Sequence, residues 1–198
     1  QPGDDLSALV LEALNEESLS LAPKDVLVVA QKVVSKAEGR VVSVDSVVPG
    51  PEACALAERL GKNPVKVQVI LDETRAIEKA VWPPGRGEGL LIVEHRLGHI
   101  MANAGVDESN TGGEGKLVLL PEDPDASARR LSKALHAATG HRVGVIVSDT
   151  FGRPWRRGLV NVAIGVAEIQ SPCLFDVAYV QQFDAGLCEL GCAYSRSL

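Results

Sequence analysis

Leu6, Leu9, Val10, Ala13 and Leu14 recur at helical spacing behind the paired acids Asp4 and Asp5. That spacing predicts an amphipathic helix over 4–18, with an acid at its start to cap free backbone N–H groups. DVLVVAQ (25–31) reads differently: a short unbroken apolar run ending in polar residues, the pattern of a buried strand. SKAEGR turns the chain into VVSV (41–44), a second strand. PEACALAERLG (51–61) opens on Pro and stops at Gly, which punctuate a helix. A further helix is predicted over 64–79, from Pro64 and the register of Val65, Val69, Ile70 and Ile77.

The loop PPGRGEG leads into GLLIVEH (89–95) and HIMANAG (99–105), read as the two strands of one hairpin. A second Gly-rich loop, TGGEGK, precedes the strand KLVLL. DPDASARRLSKALHAATG (123–140) is a helix with an acidic start and a Gly stop, and RVGVIVSDT closes the series as a strand. Strands and helices alternate and one hairpin is included. The fold class is therefore α/β with a mixed sheet, of α+β character. From Glu168 the composition shifts, gathering both Tyr and three of the four Cys. The chain is expected to divide into a body over 1–167 and a divergent tail over 168–198, read either as an ordinary variable end or as the mark of a truncation or an altered reading frame.

Composition narrows the function classes. With 198 residues, 45% hydrophobic and 23% charged, the chain fits a folded domain. Its net charge of −6 gives no global attraction to nucleic acid or to anionic membrane, so neither is expected as a partner. No run approaches the roughly 18 apolar residues that span a bilayer. The start, QPGDDLSALV, is acidic and carries no signal-peptide pattern, and without a Met it suggests a processed or truncated beginning. Reduced thiols and a cytoplasmic location follow as expectations. Cys188 and Cys192 have no matching CxxC pair or His to suggest zinc.

Four polar clusters interrupt the apolar segments. Gln31, Lys32, Ser35 and Lys36 follow the first strand, where cations suit phosphate, although solvated surface lysines explain them equally. Asn103, Asp107 and Asn110 leave an apolar strand in ANAGVDESN; they offer hard oxygen ligands to a divalent cation, or form an Asx-rich turn. Asp149 and Thr150 end another strand, as a carboxylate and a hydroxyl do around a nucleotide-bound metal, or simply cap a turn. Arg153, Trp155, Arg156 and Arg157 form a cationic knot suited to phosphate or carboxylate, or a basic surface loop. GGEGK lacks the first Gly and the final Ser or Thr of a phosphate-binding loop, and His95 and His99 flank a hairpin turn rather than share a helix face. Together the clusters suit metal-assisted phosphoryl transfer.

AQKVVSKAEGRVV, ANAGVDESN, LLPEDPDASARR and SDTFGRPWRRGLVNVAIG together resemble the coenzyme F420-0:L-glutamate ligase family, from about residue 3 to Val166. The resemblance implies an unusual α/β fold forming an intertwined homodimer. It implies a GTP-dependent ligase that phosphorylates the carboxylate of a deazaflavin precursor, joins L-glutamate to it as an amide, and adds further glutamate through a γ-linkage. Mg2+ or Mn2+ (two divalent ions) and K+ are the implied cofactors. By position, Gln31, Lys32, Lys36 and Asn110 are implied GTP contacts, and Asp107, Asp149 and Thr150 implied metal ligands. Arg153 and Arg156 are expected beside Asp149 in catalysis, receiving anionic substrate. Family members carry a strand and a GLP-type loop before the position of Gln1, and a Gln metal ligand beyond Val166. The competing reading is an inactive homologue that folds, dimerises and binds nucleotide weakly.

Overall fold

The computed structural model describes residues 1–85, 87–108, 115–152, 159–169 and 192–195. In chain order its elements are α1 (Leu6–Glu16), β1 (Val26–Ala30), α2 (Gln31–Ala37), β2 (Val41–Ser43), α3 (Pro51–Leu60), α4 (Pro64–Asp72), β3 (Thr74–Val81) and β4 (Leu90–His95). There follow β5 (Ile100–Ala102), β6 (Lys116–Val118), α5 (Pro124–Thr139), β7 (Gly144–Gly152), β8 (Leu159–Ala167) and β9 (Cys192–Ser195). Two compact units result. One draws on Gln1–Arg40, Leu120–Asp149 and the residues from Asn161 onward; the other on Val41–Leu119 and 150–160. The mixed α/β class is as expected, with three sheets among the described residues.

The first unit is built on a sheet of order β8-β7-β1-β9. β1 and β7 run parallel in continuous register, from Val26 opposite Gly144 to Ala30 opposite Ser148, and β9 lies antiparallel on the other side of β1. Alternation is plain: Leu27, Val29, Val145 and Val147 are buried, while the intervening side chains are half-buried. α1 begins as its sequence demands, with the Asp5 carboxylate accepting from the N–H groups of Ser7 and Ala8. α5 starts with an Asp123 cap and Pro124, stops at Gly140 in the left-handed region, and buries Ala128, Leu131 and Leu135. Its first turn sits close against β8. A Cβ on Gly165 would lie 2.3 Å from the Pro124 carbonyl carbon, and the Val166 N–H donates to Asp125 Oδ1 at 2.8 Å.

The second unit packs α3 and α4 with an antiparallel pair, β2 and β6, and an antiparallel meander, β3-β4-β5. Leu56, Leu60, Val67, Ile70, Leu91, Val93 and Leu117 lie within one core. α3 ends on Gly61 at φ +59, and the ring of Trp82 covers it so closely that a Cβ would lie 2.4 Å away.

Three sequence expectations need correction. The helix predicted over 64–79 stops at Asp72, and Thr74–Val81 is strand β3. Thr74 Oγ1 donates to the Ile70 carbonyl at 2.6 Å and closes the helix, after which pairing with β4 outweighs the weak helical register of Ile77. Gln31–Ala37, read as strand end and turn, is the short helix α2, ended by a backbone bond from Glu38 to Val34 and by Gly39 at φ +70. β8 was not anticipated, although Val160, Val162, Ile164 and Val166 recur at strand spacing, with Asn161, Ala163 and Gly165 between them. The hairpin stands, shortened to β4 and β5, with the His95 N–H donating to the His99 carbonyl at 2.8 Å.

Candidate functional site

Most of the described candidates fall at one end of the central parallel pair. β1 ends at Ala30, opposite Ser148, while β7 runs on to Gly152. Gln31 and Lys32 open α2 directly after Ala30, and Asp149 directly follows Ser148, with Thr150 next along β7. Register thus brings the start of α2, at the carboxyl end of β1, alongside the stretch of β7 that carries Asp149; ligands collect at such strand ends in α/β sheets.

Within that cluster the side chains divide. Gln31 is 2% exposed, and its side-chain carbonyl accepts from the Ser35 hydroxyl at 2.9 Å, one helical turn on. Ser35 is itself fully buried, so this pair braces α2 from inside. Lys32, Lys36 and Asp149 are half-buried and Thr150 is exposed. Within the first unit these residues carry two ammonium groups and a carboxylate; Thr150, next along β7, brings a hydroxyl and falls in the second unit. A carboxylate with a hydroxyl is the hard oxygen set that Mg2+ or Mn2+ takes, and ammonium groups suit phosphate oxygens. Among the described residues no three His, Cys, Asp or Glu side chains group as a metal cage.

Asp107 lies in the second unit. Its backbone is fixed by a two-way bridge to Val118, N–H to carbonyl at 3.1 Å and the reverse at 2.8 Å. Upstream, Asn103 and Ala104 both adopt φ +51. Asn tolerates that conformation, but a buried Ala does not without strain of about 1–3 kcal/mol, a feature that concentrates at functional loops. Asn110, Arg153 and Arg156, with Trp155 and Arg157, lie outside the described residues.

Sequence reasoning missed two polar groupings, both in the second unit. A cleft of about 550 Å3 is lined by Lys62, Glu88, Gly89, Leu91, Ala102 and Asn103, among others. Lys62 Nζ donates to Glu88 Oε2 at 2.9 Å, and that bond holds the Glu88 carboxyl below its usual range. Its one advance signal was the Gly-rich string PPGRGEG. The other grouping is buried. His95 is 0% exposed; its Nδ1 accepts the Leu97 N–H at 3.0 Å, which leaves the proton on Nε2. That nitrogen lies 3.2 Å from Glu73 Oε2 without hydrogen-bond geometry, while Arg96 Nε donates to the same oxygen at 2.9 Å. These contacts tie the head of β3 to the hairpin turn and give His95 a structural role.

The fold and these residues define a mixed α/β protein with cations following one parallel strand and an acid on its neighbour. The chain belongs to the F420-0:Gamma-glutamyl ligase family, which it matches over residues 1–185. It is 45% identical over 165 residues to the coenzyme F420:L-glutamate ligase of Methanothermobacter thermautotrophicus, covering 83% of this chain and 63% of that protein. It is 48% identical over 176 residues to the enzyme of the same name from Methanopyrus kandleri, covering 89% of this chain and 64% of that one. The chain therefore spans somewhat under two thirds of the length of these relatives. No helix among the described residues is long and apolar enough to cross a membrane.

Proposed function

We propose that this chain is the greater part of a GTP-dependent ligase that joins L-glutamate to the deazaflavin precursor coenzyme F420-0, and then adds further glutamate through γ-linkages. The observation that supports it most is the pairing of Ala30 with Ser148, which brings Lys32, at the start of α2, alongside the stretch of β7 that carries Asp149, in a chain of this family. In this reading Lys32 and Lys36 take phosphate oxygens of GTP, and Gln31 acts through α2, which it braces from inside. Asp149 and Thr150 hold a divalent ion, Mg2+ or Mn2+, which when bound neutralises charge developing on the transferred phosphoryl group. Asp107 supplies a further metal carboxylate, Asn110 a nucleotide contact, and Arg153 and Arg156 receive anionic substrate. Transfer of the γ-phosphoryl group activates the substrate carboxylate as an acyl phosphate. The glutamate amine then attacks the acyl carbon, inorganic phosphate leaves, and an amide remains. K+ belongs to the same proposal.

A homodimer is part of it as well, and exposed apolar residues of the second unit support that: Ile77, Val81, Trp82 and Ile100. The test is calorimetric titration of GTP with and without Mn2+, followed by phosphate release with F420-0 and L-glutamate. Metal-dependent GTP binding and glutamate-dependent phosphate release are expected, both lost in Asp149→Asn. Release no greater from the native chain than from Asp149→Asn overturns the reading.

A further inference from the structure

The cleft of the second unit has a charge pattern that the cluster at the β1 and β7 ends does not share. The Lys62 side chain is 3% exposed, yet its ammonium lines an open cleft and has Glu88 as its one hydrogen-bond partner among the described residues. An ammonium carries three donors, so two remain for a ligand. Glu88 stands opposite in character. Its side chain is 56% exposed, and it meets the cation through Oε2. Asn103 adds an amide from a left-handed turn, with both donor and acceptor capacity. Gly89 lets the loop pack tightly on α3, since a Cβ there would lie 2.7 Å from Leu60 Cδ2.

A purely structural ion pair has no need of a buried lysine stem, since an exposed pair contributes little. A lone anion site would not place a carboxylate 2.9 Å from its cation. One cation, one anion and one amide around a small cleft match a zwitterion. We propose that this cleft is an amino-acid subsite, in which Lys62 takes an α-carboxylate, Glu88 takes the α-ammonium and Asn103 takes the polar end of the side chain. Its assignment to L-glutamate in particular rests on the ligase reading above; its preference for a zwitterionic α-amino acid does not.

The experiment is calorimetric titration of L-glutamate into the chain, with GTP and Mn2+ present and absent. Glutarate, which lacks the ammonium, and 4-aminobutyrate, which lacks the α-carboxylate, are titrated in parallel. L-Glutamate should bind at least about tenfold more tightly than either analogue, and Lys62→Met and Glu88→Gln should each weaken it by about tenfold or more. Lys62→Met keeps the buried stem, and Glu88→Gln alters an exposed group, so an unchanged urea midpoint confirms that both variants fold. Absence of L-glutamate binding in every condition overturns the subsite, as does equal binding by both variants. Glutamate-dependent phosphate release with an unchanged glutamate KM in Glu88→Gln removes the subsite and leaves the ligase standing. Glutamate binding that both variants lose, in a chain that releases no phosphate, keeps the subsite and removes the ligase.

Discussion

Gly165 ends the motif SDTFGRPWRRGLVNVAIG, and its role is packing. It is buried on β8 under the first turn of α5, where a methyl group would lie 2.3 Å from the Pro124 carbonyl carbon and 2.4 Å from its oxygen. Relief in Gly165→Ala requires helix and strand to separate by about 1 Å, since side chains cannot swing aside where the obstacle is backbone. Separation also strains the bond from the Val166 N–H to Asp125, 2.8 Å in the native chain. Overpacking of this kind costs about 3 kcal/mol. For a chain of this size that lowers Tm by about 6–12 °C. Urea unfolding followed by circular dichroism, with thermal melts alongside, measures it. Gly87→Ala is the control: nothing lies within 4 Å of its Cβ, so a change within about 0.5 kcal/mol is expected. If Gly165→Ala stays within about 1 kcal/mol of the native chain, α5 is not seated on β8 as described.

Asn63→Ala removes the cap whose side chain accepts from the N–H groups of Val65 and Lys66, and should lower stability by about 1 kcal/mol in a urea titration. The His99 imidazole is held below its ordinary 6.5, by burial first and by nearby His95 second. It is neutral in the fold and takes up a proton on unfolding, so its contribution is full above 6.5 and declines as pH falls below that value toward the folded pKa. His99→Gln should flatten that decline in pH-dependent melts, and an unaltered slope removes His99 as its source. Lys36→Ala should weaken GTP binding by about tenfold or more, as loss of a charge-assisted phosphate contact does. Undiminished GTP affinity would make Lys36 a surface lysine.

The parts of this fold legible in the sequence are those in which local chemistry decides. Asp5, Asp123 and Gly140 mark helix ends by bonds to neighbouring residues, and each end falls where its cap stands. DVLVVAQ and RVGVIVSDT announce strands because their apolar runs suit a central position in a sheet. β3 was illegible because its strand character comes from pairing with β4, a partner that begins nine residues beyond its end. The site was legible in residue types and in chain order. Acids, hydroxyls and lysines at strand ends could be picked out, whereas the burial of Gln31 against Ser35 could not, because helix α2 was itself unforeseen. The pair formed by Lys62 and Glu88 was hidden for a simpler reason: 26 residues separate them in the chain.

Register explains how β7 brings Asp149 alongside the start of α2. A parallel strand that slips by one residue turns every side chain to the opposite face, so Asp149 shares the beginning of α2 only if β7 holds its alignment with β1. That alignment is set five residues upstream. Gly144 stands opposite Val26, and a Cβ there would lie 3.3 Å from Val26 Cγ2 and 3.3 Å from Ile169 Cδ1, a fit that leaves little room for a side chain. The Gly144 N–H donates to the Asp25 carbonyl at 2.9 Å, and the Asp25 carboxylate is in turn fixed by the Ala22 N–H at 2.7 Å. Asp25 is 3% exposed at the head of a strand and belongs to no polar cluster at the other end. Its work is to start β1 and β7 level, so that four residues later Ala30 and Ser148 still face each other and α2 begins alongside the stretch of β7 that carries Asp149.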